Sequence, residues 1–300
     1  MPAGFGLIFL LAVRVWLGEI SGTLTIASAI APKLFRLLLL SMLMSGCGPA
    51  KSTSVRPVAE PGKPANISAT KDQPFENSLG MRFVPVVGTS VLFSIWETRG
   101  QDYAAYLEGT GARARSQAVL KPSHPASNLS WEDSSAFCSW LTVQERESGR
   151  IGAQDHYRLP SDKEWGAAIG PDKYPWGNQW PPPKLVGGLA PAFIPEGGEN
   201  TAPVGSFAPN RFGIYDLAGN VFEWVEDWYR KEMNPDEIRL EHKLWLNEDG
   251  DGKKYKVLRG ASWIMLEPMN LLSAYRYINT PAARGGLYGF RCVLEVKAGR

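Results

Sequence analysis

Hydrophobic and polar positions divide the chain into an apolar opening, a polar stretch and a long mixed body. Two short apolar runs come first. Phe5–Leu17 is broken by Arg14, and Leu37–Met44 follows Lys33 and Arg36 and ends at Met44-Ser45-Gly46-Cys47. Neither reaches the roughly 20 apolar residues that a membrane-spanning helix needs. The second run has the parts of an export signal in order: positive residues, a short apolar stretch, then small residues. Residues 1–30 fit no standard signal, which points to a translation start near Lys33. From Gly48 to Pro74 there is no aromatic residue, and prolines stand at 49, 57, 61, 64 and 74. Such a segment buries too little apolar surface to offset its ordering entropy, and it reads as a flexible tether.

In the body, Ser130-Trp131-Glu132-Asp133 is a capping-box pattern, with an acidic residue three after a serine. It predicts a helix that places Phe137, Trp140 and Leu141 on one face at helical spacing. Ser161 and Glu164 repeat the device before Trp165. Between Tyr174 and Phe212 the chain is rich in Gly, Pro and Asn and is read as mostly loop.

Composition narrows the class. A chain of 300 residues can bury one large core or two modest ones. Its 44% apolar and 21% charged content is ordinary for a globular domain. Net charge is +2 with no Lys/Arg-rich block, so nucleic acid is not an expected partner. Of the 11 Trp, all but Trp16 lie beyond residue 90, alongside 31 Gly and 23 Pro. Large rings among many turn-formers predict long, well-packed loops with little regular structure. The cysteines are Cys47, Cys138 and Cys292. If Cys47 is set aside, an even pair remains, which could be a disulfide or two buried thiols.

Two resemblances now become specific. The small residues directly before Cys47 resemble the lipobox of bacterial lipoproteins, which implies that Cys47 becomes a lipidated N-terminus; a plain secretory signal is the alternative. His124-Pro125 through Ser130-Trp131, then Phe137-Cys138-Ser139-Trp140-Leu141, resembles the first helix block of the formylglycine-generating enzyme (sulfatase-modifying factor) family. Arg158-Leu159-Pro160-Ser161 through Trp165 is similar to that family's "RLPTEAEWE" element, and Tyr174-Pro175-Trp176-Gly177-Asn178 to its "YPWGN" turn. Thr201–Gly205 and Pro209–Trp224 resemble its central signature. Arg259-Gly260-Ala261-Ser262-Trp263, Arg276, Asn279-Thr280-Pro281 and Gly289-Phe290-Arg291-Cys292 resemble its closing block. The resemblance implies a single α+β domain related to the C-type lectin fold over residues 75–297, preceded by an anchor segment (1–47) and the tether (48–74). It also implies a Cys138–Cys292 disulfide.

The same resemblance carries chemistry. The family binds calcium at positions matching Asp216, Gly219, Val221 and Glu223. Carboxylates at 216 and 223 with main-chain carbonyls at 219 and 221 are hard oxygen donors of the kind calcium takes. The alternative is that Asp216 caps a turn and Glu223 pairs with an arginine. A second family calcium site is not recognisable near Gly187-Gly188, so one site is expected. Asn247–Gly252 starts like an EF-hand loop, but its twelfth position is Leu258 rather than the required Glu.

Catalysis is where the chain departs from the family. Family oxidases use two cysteines just after a Gly-Gly-Ser element, because Cu(I) and attack on a thiol both need thiolates. Here the first position falls at Met265 and the second between Pro268 and Asn270, and no cysteine occurs from 139 to 291. Copper is therefore not expected. His124, His156 and His242 lie far apart with no metal-ligand spacing. What remains is a surface: Phe222, Ser262, Trp263, Tyr275 and Arg276 match or flank the family's substrate groove and suit a peptide or glycan ligand. Trp224 is assigned to the core. The expectation is a non-catalytic, calcium-stabilised binding or accessory module, anchored in the cell envelope; the alternative is an oxidase acting on exported proteins.

Overall fold

The computed structural model describes residues 67–112, 118–180, 201–230, 233, 254–265 and 267–297. Cys47 and the anchor segment, residues 48–66 of the tether, Gly187-Gly188, His242 and the Asn247–Gly252 loop lie outside the described residues. Among the described residues no helix is long and apolar enough to cross a membrane.

Both capping boxes are present. Ser130 Oγ accepts from Asp133 N, and the Asp133 carboxylate accepts from Ser130 N, opening α2 (Trp131–Glu147). Ser161 and Glu164 do the same for α3 (Asp162–Ile169). Each satisfies main-chain donors that a helix start leaves open. An earlier helix, α1 (Gly100–Thr110), packs against α2 through Tyr103, which stacks on Phe137 with ring centroids 5.9 Å apart. Phe137 and Leu141 are fully buried, and Trp140 lies at the edge of the same cluster. Burying side chains of this size is worth about 1.5–3 kcal/mol each.

Two small sheets complete the unit. The first runs β1 (Phe75–Glu76), β2 (Arg82–Pro85), β3 (Val91–Ser94), β9 (Val293–Glu295), β4 (His156–Arg158), antiparallel throughout. The second runs β7 (Tyr277–Asn279), β6 (Lys256–Arg259), β5 (Phe222–Trp228), β8 (Tyr288–Gly289). Its β5–β8 pair is parallel. Apart from β5, with seven residues, these strands run two to four residues each. Ile67, read from sequence as tether, packs against the core. The elements follow the α+β reading, with three helices and two small sheets among the described residues.

Gly289 shows how tightly the second sheet meets the loops. A Cβ there would lie 2.7 Å from Ala126 O and 2.8 Å from Val221 Cγ2. Only glycine lets the backbone come this close. Val221, at the mouth of β5, is thereby fixed from behind.

Candidate functional site

The segment entering β5 turns through left-handed backbone at Asp216 (φ 58°), Gly219 (φ 88°) and Asn220 (φ 58°). Asp and Asn tolerate this conformation better than other non-glycine residues. The turn is pinned to the neighbouring loop, with Gly219 N donating to Gly260 O (2.6 Å) and Trp263 N donating to Asn220 O (3.0 Å). Ala261 also holds φ 60° and is buried, in the element where the family has Gly-Gly-Ser.

The turn surrounds a buried cluster of three carboxylates and one guanidinium. Glu223 accepts from Arg291 Nε and Nη2, both at 2.7 Å, and from Trp165 Nε1 at 2.9 Å. Arg291 also donates to Tyr215 O (3.0 Å). Glu97, just beyond β3, accepts from Asn220 Nδ2 (2.6 Å) and Val221 N (3.2 Å). Asp216 Oδ2 accepts from Gly205 N (2.7 Å), while Oδ1 is buried with no hydrogen-bond partner in the protein. Burial, then the charges of Asp216 and Glu223, push the Glu97 carboxyl well above the usual range. Burial, with Glu223 adding to it, raises Asp216 to about 6. Burial works against the charge on Arg291, yet Glu223 more than offsets it and holds the guanidinium above its ordinary value.

This geometry bears on calcium in two ways. Both features of the alternative reading are present, since Asp216 accepts from a turn amide and Glu223 pairs with an arginine. Three carboxyl groups nevertheless meet one guanidinium in a buried cluster, and Asp216 Oδ1 is an orphaned hard donor. In charge and donor chemistry the residues suit a hard cation. Asp216 and the carbonyls of Gly219 and Val221 would hold it, with Glu223 shared with Arg291. Among the described residues, no three His, Cys, Asp or Glu side chains are grouped so as to hold a metal by themselves.

The two body cysteines meet. Cys138 on α2 and Cys292 before β9 are buried thiols with sulfurs 3.4 Å apart, 154 positions apart in sequence. Burial, then the contact with Cys292, pushes the Cys138 thiol well up, so it stays protonated.

Where the family places its thiols, Met265 packs at the core edge and its sulfur receives the Asn270 side-chain amide at 3.6 Å. Met269 and Asn270 belong to a short 3-10 turn, Pro268–Leu271. Of the groove residues, Phe222, Ser262 and Tyr275 are buried, with Phe222 stacked on Tyr277 at 4.7 Å. Trp263 and Arg276 are partly exposed. Ser262 Oγ is buried without a partner. Trp224 is core, donating its indole N–H to Leu129 O. Among the described residues, one open cleft of about 460 Å³ lies beside Trp228 and Tyr255, and another of about 350 Å³ lies beside Arg259 and the groove residue Arg276.

Sequence reading missed Glu97 and the role of Arg291. A glutamate between apolar Ile95-Trp96 and the body of the domain is a buried-charge signal, but its partners lie more than a hundred positions away. Arg291 stood inside the closing block without an assigned contact.

Comparison with known proteins agrees with this architecture. Among structures, the chain is similar to PvdO from Pseudomonas aeruginosa (TM-score 0.52, 22% identity, 78% of this chain and 100% of that one). It is also similar to Treponema denticola variable protein 1 (TM-score 0.52, 19% identity, 74% and 97%). At these identities the likeness concerns the fold. Among curated sequences, it is 31% identical over 191 residues to the formylglycine-generating enzyme of Thermomonospora curvata, covering 58% of this chain and 57% of that one. It is 32% identical over 197 residues to the mouse inactive C-alpha-formylglycine-generating enzyme 2 (61% and 52%). It is 32% identical over 192 residues to the serine/threonine-protein kinase pkn1 of Chlamydia caviae (62% and 27%). The chain thus spans about half the length of the formylglycine-generating relatives and about a quarter of the kinase. Residues 68–296 match the sulfatase-modifying factor enzyme 1-like domain, and the chain belongs to that family.

Proposed function

We propose that this domain is a non-catalytic member of its family: a calcium-stabilised binding or accessory module of the cell envelope. One observation carries the reading. The positions that need thiolates hold Met265 and the Pro268–Asn270 stretch, and no cysteine lies between 139 and 291. A thioether and an amide cannot bind Cu(I) as a thiolate pair does, nor serve as the thiolate nucleophile. One relative carries a name that declares it inactive, so the family includes members described as non-catalytic.

Calcium fits the reading as a stabiliser of the turn entering β5. It would supply charge compensation there, while the chain's own residues keep the pocket dry and the turn rigid. The ligand class is a peptide or glycan, recognised by partly exposed rings and guanidiniums such as Trp263 and Arg276. Lipidation at Cys47 would hold the module at a membrane facing the periplasm or the exterior. Cys47→Ala should release the protein from membranes, and continued association would remove that part of the reading.

The deciding experiment offers copper and a Cys-x-Pro-x-Arg peptide to the full chain in air, with an authentic formylglycine-generating enzyme as control. Mass spectrometry then asks whether the peptide cysteine becomes formylglycine. No conversion is expected. Conversion would overturn the reading in favour of an oxidase acting on exported proteins.

A further inference from the structure

Two chain segments flank the turn entering β5, and both run back to the buried thiol pair. The first leads into β9 and carries Arg291 and Cys292 as neighbours. The Arg291 guanidinium holds Glu223 and also donates to Tyr215 O (3.0 Å). The Cys292 sulfur lies 3.4 Å from that of Cys138 on α2. The second segment follows β3 and carries Glu97 and Thr98. Glu97 accepts from Asn220 Nδ2 and Val221 N, and the Thr98 hydroxyl lies 3.7 Å from the Cys292 sulfur. Arg291 and Glu97 shape the turn, and the chain neighbour of each stands at the thiol pair.

The two segments are also joined to each other. Ser94 N donates to Cys292 O (3.0 Å), Thr98 N to Phe290 O (2.8 Å), and Arg291 Nη1 to Ser94 O (3.3 Å). Glu97, Thr98, Arg291, Cys292 and Cys138 are all buried. A close-packed interior transmits a displacement rather than absorbing it. A restraint placed on Cys292 is therefore felt at Arg291 through the chain, and at Glu97 through Thr98.

A bond between Cys138 and Cys292 would supply that restraint, tying the β9 segment to α2 at the residue beside Arg291. It forms when one cysteine, as thiolate, attacks a low-molecular-weight disulfide and releases one thiol; the other cysteine then displaces the second. Two electrons and two protons pass from the protein to that disulfide, which leaves as two thiols. Arg291 and Glu97 keep their chemistry and lose freedom, and a preorganised site loses less entropy on binding. We propose that the Cys138–Cys292 pair is a redox control on the turn entering β5, the disulfide form binding calcium more tightly than the dithiol. This coupling rests on the calcium reading given above and adds its regulation. Coupling between two sites is reciprocal, so calcium favours the disulfide by the same factor, about tenfold for an ordinary coupling of this kind.

The test titrates calcium chloride calorimetrically into the full chain, oxidised with glutathione disulfide or reduced with dithiothreitol. Alkylation and mass spectrometry verify the thiol state, and far-UV circular dichroism verifies the fold. The oxidised chain should bind about tenfold more tightly. Cys138→Ala cannot form the bond; it should bind like the dithiol in both buffers, and it replaces the reduced parent if that form unfolds. In glutathione buffers approached from both directions, calcium should raise the ratio of disulfide to dithiol by the same factor. Asp216→Ala should abolish that shift. Equal calcium affinity in the oxidised chain and in Cys138→Ala, or an unmoved glutathione equilibrium, would overturn the coupling and leave the metal site in place. No calcium binding by the oxidised chain would remove the calcium reading itself, and the coupling with it.

Discussion

Arg291 and Glu223 are both fully buried and are joined by two hydrogen bonds of 2.7 Å. The pair ties the segment before β9 to β5, and it also supplies the guanidinium that faces Glu97 and Asp216. Breaking a buried pair by removing one partner leaves an uncompensated charge and costs more than the pair is worth. Arg291→Met should therefore lower unfolding free energy by about 3–5 kcal/mol in urea denaturation. Adding Glu223→Gln to it should recover part of the loss. A loss below about 1 kcal/mol would show that water reaches the cluster.

Asp162 is one of the carboxylates, with Glu164 and Glu295, that contribute to the response to acid. Burial opposes its charge, but Arg259 and Arg276 hold its carboxyl below the ordinary value. A carboxylate with a depressed folded pKa stabilises the fold above its unfolded value, near pH 4, and loses that contribution as pH falls through the folded pKa. Asp162→Asn should cost about 3 kcal/mol at neutral pH and flatten the decline in stability below pH ~4. A mutant whose stability falls with acid as steeply as the parent's would assign the decline to the other depressed carboxylates, Glu164 and Glu295.

Calcium should act as a ligand of the folded state. At a hundredfold excess over its dissociation constant, it would add about 2.7 kcal/mol. A chelator should then lower the melting temperature by several degrees, and calcium should restore it. Asp216→Ala removes the orphaned carboxylate oxygen and should abolish the response. A chelator effect that persists in that variant would move the site away from the β5 turn.

The neighbouring Cys138 and Cys292 thiols should be found joined when the protein is made in an oxidising compartment. Closing a loop of this length is worth about 4–5 kcal/mol in the chain-entropy model. Non-reducing peptide mapping checks the link, and Cys138→Ser should lower stability under oxidising conditions only. Two alkylatable thiols in the unfolded, unreduced protein would refute it.

The legible parts of the sequence were local. Ser130 and Ser161 announced their helices because a capping box occupies four consecutive positions. Trp224 was read as core, and it is fully buried. α1 was not anticipated: its cap is an arginine, Arg99, paired with Asp102, outside the usual Ser/Thr/Asp/Asn set. The short strands were also hidden, since two- to four-residue elements carry too few alternations for period-2 reading. At the candidate site, Asp216 and Glu223 were visible as a motif, but Glu97 entered through a contact spanning more than a hundred residues. The cleft beside Arg259 and Arg276 escaped for the same reason, drawing on α3, β6 and the segment before β7. Such groups share no spacing that a single sequence displays.

The place of β9 governs how the chain is made. This strand holds Val293–Glu295, yet it lies between β3 and β4, hydrogen-bonded to both. Until Val293–Glu295 have been synthesised, β3 and β4 lack the strand that joins them and leave edges open to other chains. β1, β2 and β3 can pair as they emerge, but the sheet closes onto β4 only when β9 arrives, about two hundred residues after β3, so the open edge of β3 needs protection over that interval.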